Sequence, residues 1–351
     1  MSCHLRCGLF VFLSAFATIF SAAVVHAQNP PAPPAPMDAD SIAFMKMQTP
    51  APSGPQTPEA MRESYRRARL KTQPDLPQVY LVKEYEVPGP DCAIPIRLYR
   101  GAATPVGGVL PVLVFYHGGG WMLGSLDTHD WICRSIANKA DCAVVSVDYR
   151  LAPEHPFPAA YDDALAAIHW VIAHAETLRI DPARVSVGGD SAGGNLAAAV
   201  ALALRDEKGA RLRSQILIYP SVDLSLSGNY YGRFTKNLIL TDDSVRSSIE
   251  RYVPDAAQRK DWRASPLLAP SLKGLPPTLF ILAGYDPLCA EGEAYAARLE
   301  KEEVAATIKH FPGQMHGFLS NARLLPKAND AIDEIAAALT ASFRPAIEKG
   351  P

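Results

Sequence analysis

The sequence predicts an α/β fold: a mostly parallel, eight-stranded sheet flanked by helices, with a helical cap. Three observations predict it. From Val79 onward short β-rich runs alternate with helical stretches, the signature of layered α/β domains. The central runs are continuously apolar, as strands buried on both faces must be, and such strands belong to parallel sheets covered by helices. The first two runs alternate apolar and polar residues, as antiparallel strands at an edge do.

The elements follow in order. Met1 to Cys7 carries Arg6 and no acid, Gly8 to Val25 has no charged side chain, and Val25-His26-Ala27 sets small residues about His26. A basic start, apolar middle and small-x-Ala exit make residues 1–27 a secretory signal pattern, so export to the periplasm or medium is expected. Left uncleaved, the run could anchor the chain in a membrane; no later stretch is long and apolar enough to do so. Residues 28–78 read as a Pro-rich arm followed by cap helices over Asp38–Met47 and Pro58–Lys71, the second opened by Thr57 and an N1 proline. Strands are expected at Val79–Val87, Ile94–Arg100, Val112–Tyr116, Ala143–Val147, Val185–Val187, Ile216–Tyr219, Thr278–Leu282 and Ala305–Phe311. Helices fall between and after them at Thr128–Ala140, Ala159–His174, Ala192–Arg205, Glu291–Lys301 and Lys327–Phe343. Residues 79–220 and 263–345 form the main α/β domain, and 221–262 interrupts the alternation as an inserted cap element over the C-terminal edge of the sheet.

Composition excludes other classes. The 351 residues are 48% hydrophobic with a net charge of −2, which argues against a disordered chain and lends no support to nucleic-acid binding. Cys92, Cys133, Cys142 and Cys289 remain after signal removal and match no zinc spacing. They read as ordinary buried thiols, although export would permit disulfides and the spacing fixes no pairing.

The chemistry sits in four places. Gly189-Asp190-Ser191-Ala192-Gly193 joins a β run to an Ala-rich helix, the context in which a tight strand-to-helix turn exposes a serine nucleophile. A phosphate-binding loop would need a Lys-Ser/Thr ending that is missing here. His117-Gly118-Gly119-Gly120-Trp121 follows the strand Val112–Tyr116. Its glycines offer backbone N–H groups for a developing oxyanion: Gly119 and Gly120 first, Gly118 as a further candidate, and Ala192 from the serine turn. His117 reads as structural. Trp121 either lines the substrate pocket or packs under the cap. Asp286 and His316 each follow a predicted strand at the edge that carries Ser191. Asp223, His310 and Asp261 are poorer rivals, and Glu154 reads as a brace in a proline-stiffened loop.

Taken together, His117-Gly118-Gly119-Gly120-Trp121, the Asp148–Ala160 segment, Gly189–Gly194, Asp286-Pro287-Leu288 and His316-Gly317-Phe318 resemble the hormone-sensitive-lipase-like branch of the α/β-hydrolases, which includes bacterial family IV esterases. The resemblance covers roughly Val79 to Phe343. It implies the α/β-hydrolase fold, Ser191 as nucleophile, His316 and Asp286 as its partners, an oxyanion hole from the glycine loop and Ala192, and a helical cap. Members often carry a further Asp two residues past the Leu of Asp-Pro-Leu; Ala290 stands there in this chain.

The expected activity is a serine carboxylesterase acting on short- to medium-chain acyl esters. The mechanism requires neither metal nor organic cofactor, and the expected partner is a small ester, with a homodimer left open. An amidase, lactonase or deacetylase would use the same residues.

Overall fold

The computed structural model describes residues 35–48, 54, 56–105, 107–226, 234 and 238–344. The expected signal segment lies outside the described residues, as do 227–233 and 235–237 of the expected cap insertion. Eight strands form one sheet: β1 (Leu81–Pro88), β2 (Ala93–Arg100), β3 (Leu110–Tyr116), β4 (Ala143–Val147), β5 (Ile180–Asp190), β6 (Gln215–Ile218), β7 (Thr278–Tyr285) and β8 (Ala306–Met315). Their order is β1-β2-β4-β3-β5-β6-β7-β8. β2 pairs antiparallel with β1 and with β4, and every other pairing is parallel.

The helices are α1 (Ala39–Met47), α2 (Pro58–Thr72), α3 (Asp130–Lys139), α4 (Ala159–Ala173), α5 (Ala175–Leu178), α6 (Ala192–Asp206), α7 (Asp242–Tyr252), α8 (Cys289–Lys301) and α9 (Lys327–Phe343). The unbroken apolar runs have the expected cause. Along β3, Val112, Val114 and Tyr116 pack with residues of α4 and α6, while Leu113 and Phe115 pack with α3 and α9. Both faces of the strand are buried, so no polar alternation survives. Pairing carries several strands beyond their apolar cores. β5 begins at Ile180, opposite Leu110, and the Tyr285↔Met315 rung extends β7 and β8. That last rung leaves Asp286 and His316 side by side, one residue past it.

The cap helices are capped as their sequences suggest. Thr57 accepts a bond from Ala60 N–H at 3.3 Å with Pro58 at the first turn, and Thr241 and Ser244 form a capping box at α7. α2 is latched by Arg62. Its guanidinium forks onto Glu154 at 2.9 and 2.6 Å and donates to the carbonyls of Met122 (3.0 Å) and Ala152 (3.1 Å). The Arg62 hydrogen bond holds the Glu154 carboxyl below the usual carboxylate range. α7 is fixed by the stacking of Trp121 on Tyr252, 4.5 Å between ring centroids, and by the Phe157 N–H bond to Tyr252 O at 2.7 Å.

α1 departs from the expected cap position. Phe44 is buried among residues of the α3/α9 face, Asp38 N–H bonds Gly313 O at 3.0 Å, and Gln314 donates to Asp38 at 2.7 Å. Burial of Phe44 thus ties α1 to the end of β8. The Asp148–Ala160 segment is a brace, as read. Arg150 grips the fully buried Asp163 through Nε and Nη2 and also pairs with Asp91.

The cysteines depart in part. Cys133 and Cys142 are buried, whereas Cys92 is exposed and Cys289 half-buried. Burial pushes the Cys142 thiol up to about 12. Among the described residues, no helix is long and apolar enough to cross a membrane.

Candidate active site

Ser191 is set by the collision limits of its turn. It follows the last residue of β5 and caps α6 with φ 56° and ψ −117°, a conformation that costs a non-glycine residue about 1–3 kcal/mol. The turn is tight because β5 and α6 meet β3 almost backbone to backbone. A Cβ on Gly193 would fall inside van der Waals contact with Tyr116 O, and a Cβ on Gly189 would strike both Tyr116 O and Gly193. Only glycines permit this approach.

His316 lies between the other two groups. Its Nδ1 is 2.7 Å from Asp286 Oδ2 and its Nε2 is 2.9 Å from Ser191 Oγ. In the neutral imidazole, Nδ1–H donates to the carboxylate and the serine hydroxyl donates to Nε2. Asp286 is held in turn by Leu288 N–H, which donates to Oδ1 at 2.8 Å. Asp286 is 1% exposed and His316 9%, whereas Ser191 is half-buried and borders a cavity. The rivals point elsewhere. Asp223 accepts from Ser225, Asp261 pairs with Arg263, and His310 faces Cys289.

The glycine loop divides its tasks. Gly119 and Gly120 have φ of 129° and 61°, and both border the cavity beside Ser191. Among the described residues no protein acceptor takes their N–H groups or that of Ala192, which opens α6. Gly118 must be removed from the expected donors. Its N–H donates to Asp190 Oδ1 at 2.8 Å, so it anchors the loop and leaves the oxyanion to its neighbours. Asp190 is buried and also bonds His129 Nε2 at 3.1 Å. Burial works against its charge, but His129 and the Gly118 N–H outweigh it and hold the carboxyl below its ordinary range. His117 is structural: its ring stacks on Tyr149 at 4.4 Å, and the Tyr149 hydroxyl donates to His117 O at 2.6 Å. Trp121 meets both alternatives posed for it, lining the cavity and stacking under α7.

The cavity encloses about 360 Å³ and is mostly apolar. Sequence reasoning did not single out its cap side, formed by Met61, Tyr65 and Arg69 of α2 and Ser248 and Arg251 of α7. The spacing of four between Met61, Tyr65 and Arg69 was the available signal, because it puts the three on one helical face. Also missed was Glu291, fully buried in α8, whose Oε1 accepts Val222 N–H at 3.0 Å. Burial raises its pKa well above the usual carboxylate value.

Known proteins share this fold. Residues 113–320 match the family model described as the alpha/beta hydrolase fold. The chain is 44% identical over 272 residues to carboxylic ester hydrolase LipN of Mycobacterium tuberculosis, covering 76% of this chain and 72% of that protein. It is 37% identical to ethyl acetate hydrolase of Pseudomonas putida, covering 70% of this chain and 78% of that protein. The crystal structure of the hyperthermophilic esterase from Pyrobaculum calidifontis superposes with a TM-score of 0.81 at 36% identity, covering 88% of this chain and 99% of that one.

Two outcomes are expected. Asp190→Ala should lower kcat for an aryl ester about 10²–10³-fold, the loss typical of a disturbed oxyanion donor, with little change in KM. Asp190→Asn keeps an acceptor for Gly118 N–H and should lose much less, so equal losses in the two variants would refute the anchoring role. Glu291 should make the fold lose stability as pH rises. Its folded pKa is raised, so its contribution is full below the unfolded Glu value and is lost as pH rises through the folded value. Urea denaturation between about pH 5 and pH 9 should therefore show a shallower decline for Glu291→Gln than for the wild type; parallel curves would count against it.

Proposed function

The chain belongs to the α/β-hydrolase family, in its hormone-sensitive-lipase-like branch, and hydrolyses carboxylic esters; we propose that it does so by acyl transfer through Ser191, on esters of short to medium acyl length. The observation that carries the proposal is the unbroken relay Asp286–His316–Ser191, with spans of 2.7 and 2.9 Å, opening on a cavity.

Ser191 Oγ attacks the ester carbonyl carbon while its proton passes to His316 Nε2. Asp286 holds the imidazole in the tautomer that can accept that proton and stabilises the imidazolium that results. Charge moves onto the carbonyl oxygen, where the N–H groups of Gly119, Gly120 and Ala192 receive it. These donors are preset by the loop and the helix start, so they need no reorganisation during reaction. The tetrahedral intermediate then collapses. The C–O bond to the alcohol breaks, and His316 returns its proton to the departing oxygen. Water, deprotonated by His316, attacks the acyl-enzyme carbonyl, and release of the acid restores the serine.

The cavity supports the size class. Its volume of about 360 Å³ stands near the lower end of the range for ligand sites, roughly 300–1,000 Å³. Its lining is mostly apolar, with Arg69, Ser248 and Arg251 among the polar groups on the cap side, which suits a small acyl or alcohol group. The test is a series of aryl esters from acetyl to palmitoyl. Activity should peak among the short chains and be abolished by Ser191→Ala, which removes the nucleophile without changing the backbone. Turnover confined to long chains in emulsion would contradict the size class, and turnover surviving in the variant would contradict the mechanism.

Export is proposed on the strength of Arg6, the uncharged run Gly8–Val25 and the Val25-His26-Ala27 exit. N-terminal sequencing of the protein from the periplasm or medium should begin at Gln28; full-length chain found only inside the cell would defeat the proposal.

A further inference from the structure

A cluster outside the active site has the composition of a metal centre. Cys289 opens α8, Glu293 follows it by one helical turn, and His310 stands on β8 beside them. Cys289 Sγ is 3.3 Å from His310 Nε2 and 3.8 Å from Glu293 Oε1, and His310 Nε2 is 3.9 Å from that same oxygen. Among the described residues these three form the one group of His, Cys and acidic side chains whose ligand atoms converge in this way.

Their spacing can be compared with a known geometry. Tetrahedral zinc has bonds of about 2.3 Å to sulfur and about 2.0–2.2 Å to nitrogen or oxygen, which sets ligand atoms roughly 3.4–3.6 Å apart. The three observed separations fall within a few tenths of an ångström of that spacing. Small rotations of exposed side chains would close the difference, and His310 and Glu293 are 39% and 54% exposed. The donor set is one thiolate, one imidazole and one carboxylate. It suits a borderline transition ion and is wrong for calcium or magnesium, which require a shell of oxygens.

We propose that Cys289, Glu293 and His310 bind a divalent transition-metal ion of the zinc type, with water in the fourth position. The ion is structural. It joins the first turn of α8 to β8, which already pack against each other, at the point where His310 pairs with Leu282 of β7. The position matters because these two elements adjoin the acid and the base: Asp286 lies just before Cys289, and His316 lies just beyond β8. Binding replaces the thiol proton with the metal, and that proton leaves to solvent.

Cobalt(II) is the probe, because a thiolate ligand gives it a charge-transfer band in the near ultraviolet. Reduced full-length protein should develop that band on titration, and zinc(II) should abolish it by competition. Zinc(II) in hundredfold excess over its Kd should raise the thermal midpoint by about 5 °C or more. Cys289→Ser should lose the band and the shift while retaining ester hydrolysis, and His310→Ala should weaken binding at least ~10-fold. Cys92→Ser, which removes the exposed thiol elsewhere, should behave as wild type. A missing band in the wild type, a band that survives Cys289→Ser, or one that disappears with Cys92→Ser would overturn the proposal. So would a His310→Ala variant that binds normally, since His310 would then not be a ligand.

Discussion

The close approach of β5, α6 and β3 at Gly189 and Gly193 is the constraint on which the rest of the site depends. Two Cβ atoms are missing where strand, helix and neighbouring strand nearly touch. The chain can then reverse from strand to helix within a few residues, and Ser191 is forced into a positive φ. That strain is sustained by the burial around it, since α6 is apolar and almost wholly covered along its length. The same reversal places the Ala192 N–H at the helix start, where it has no partner within the helix. One packing restriction therefore yields both an exposed nucleophile and an oriented donor.

Parallel pairing supplies the remaining groups. In a parallel sheet all C-terminal strand ends lie at one edge, and residues just past adjacent strands become neighbours. Tyr285 pairs with Met315, so Asp286 and His316 emerge together. Tyr116 pairs with Gly189, so the glycine loop emerges beside the serine turn. Asp190 then joins the two, binding Gly118 N–H on one side and His129 on the other. A buried carboxylate is costly unless paired, and here its pairing also fixes which loop amides remain available. The loop is thereby divided into an anchor at Gly118 and donors at Gly119 and Gly120.

Substrate space is enclosed from a distance. α2 and α7 come from widely separated parts of the chain, yet both border the cavity beside Ser191. Arg62 fixes the first through Glu154 and two carbonyls, and the Trp121–Tyr252 stack fixes the second. Both fasteners end on loops leaving the sheet edge, so cap and catalytic groups share one support. A metal ion at Cys289, Glu293 and His310 would bind α8 and β8 into that support from the outside.

What the sequence determined by itself was whatever local pattern and local sterics dictate. The two-sided burial of β3 is written as an unbroken apolar run, the serine turn as paired glycines between strand and helix, and the acid and base as polar residues directly after strands. Asp286, His316 and Ser191 were legible for that reason. Other features needed the tertiary structure, because they depend on which distant groups meet. Gly118 looks identical to Gly119 and Gly120 in sequence, and only the arrival of Asp190 occupies its N–H. α1 has the appearance of a second cap helix, but burial of Phe44 draws it to β8. Met61, Tyr65 and Arg69 share a helical face in any α2, yet which surface that face covers was decided by the Arg62 latch. Cys289, Glu293 and His310 carry no metal-site spacing, since His310 reaches the other two only through the pairing of β7 with β8. Short-range sterics act within a few residues and can be read along the chain; partnership across the fold is set by packing, which a linear pattern does not encode.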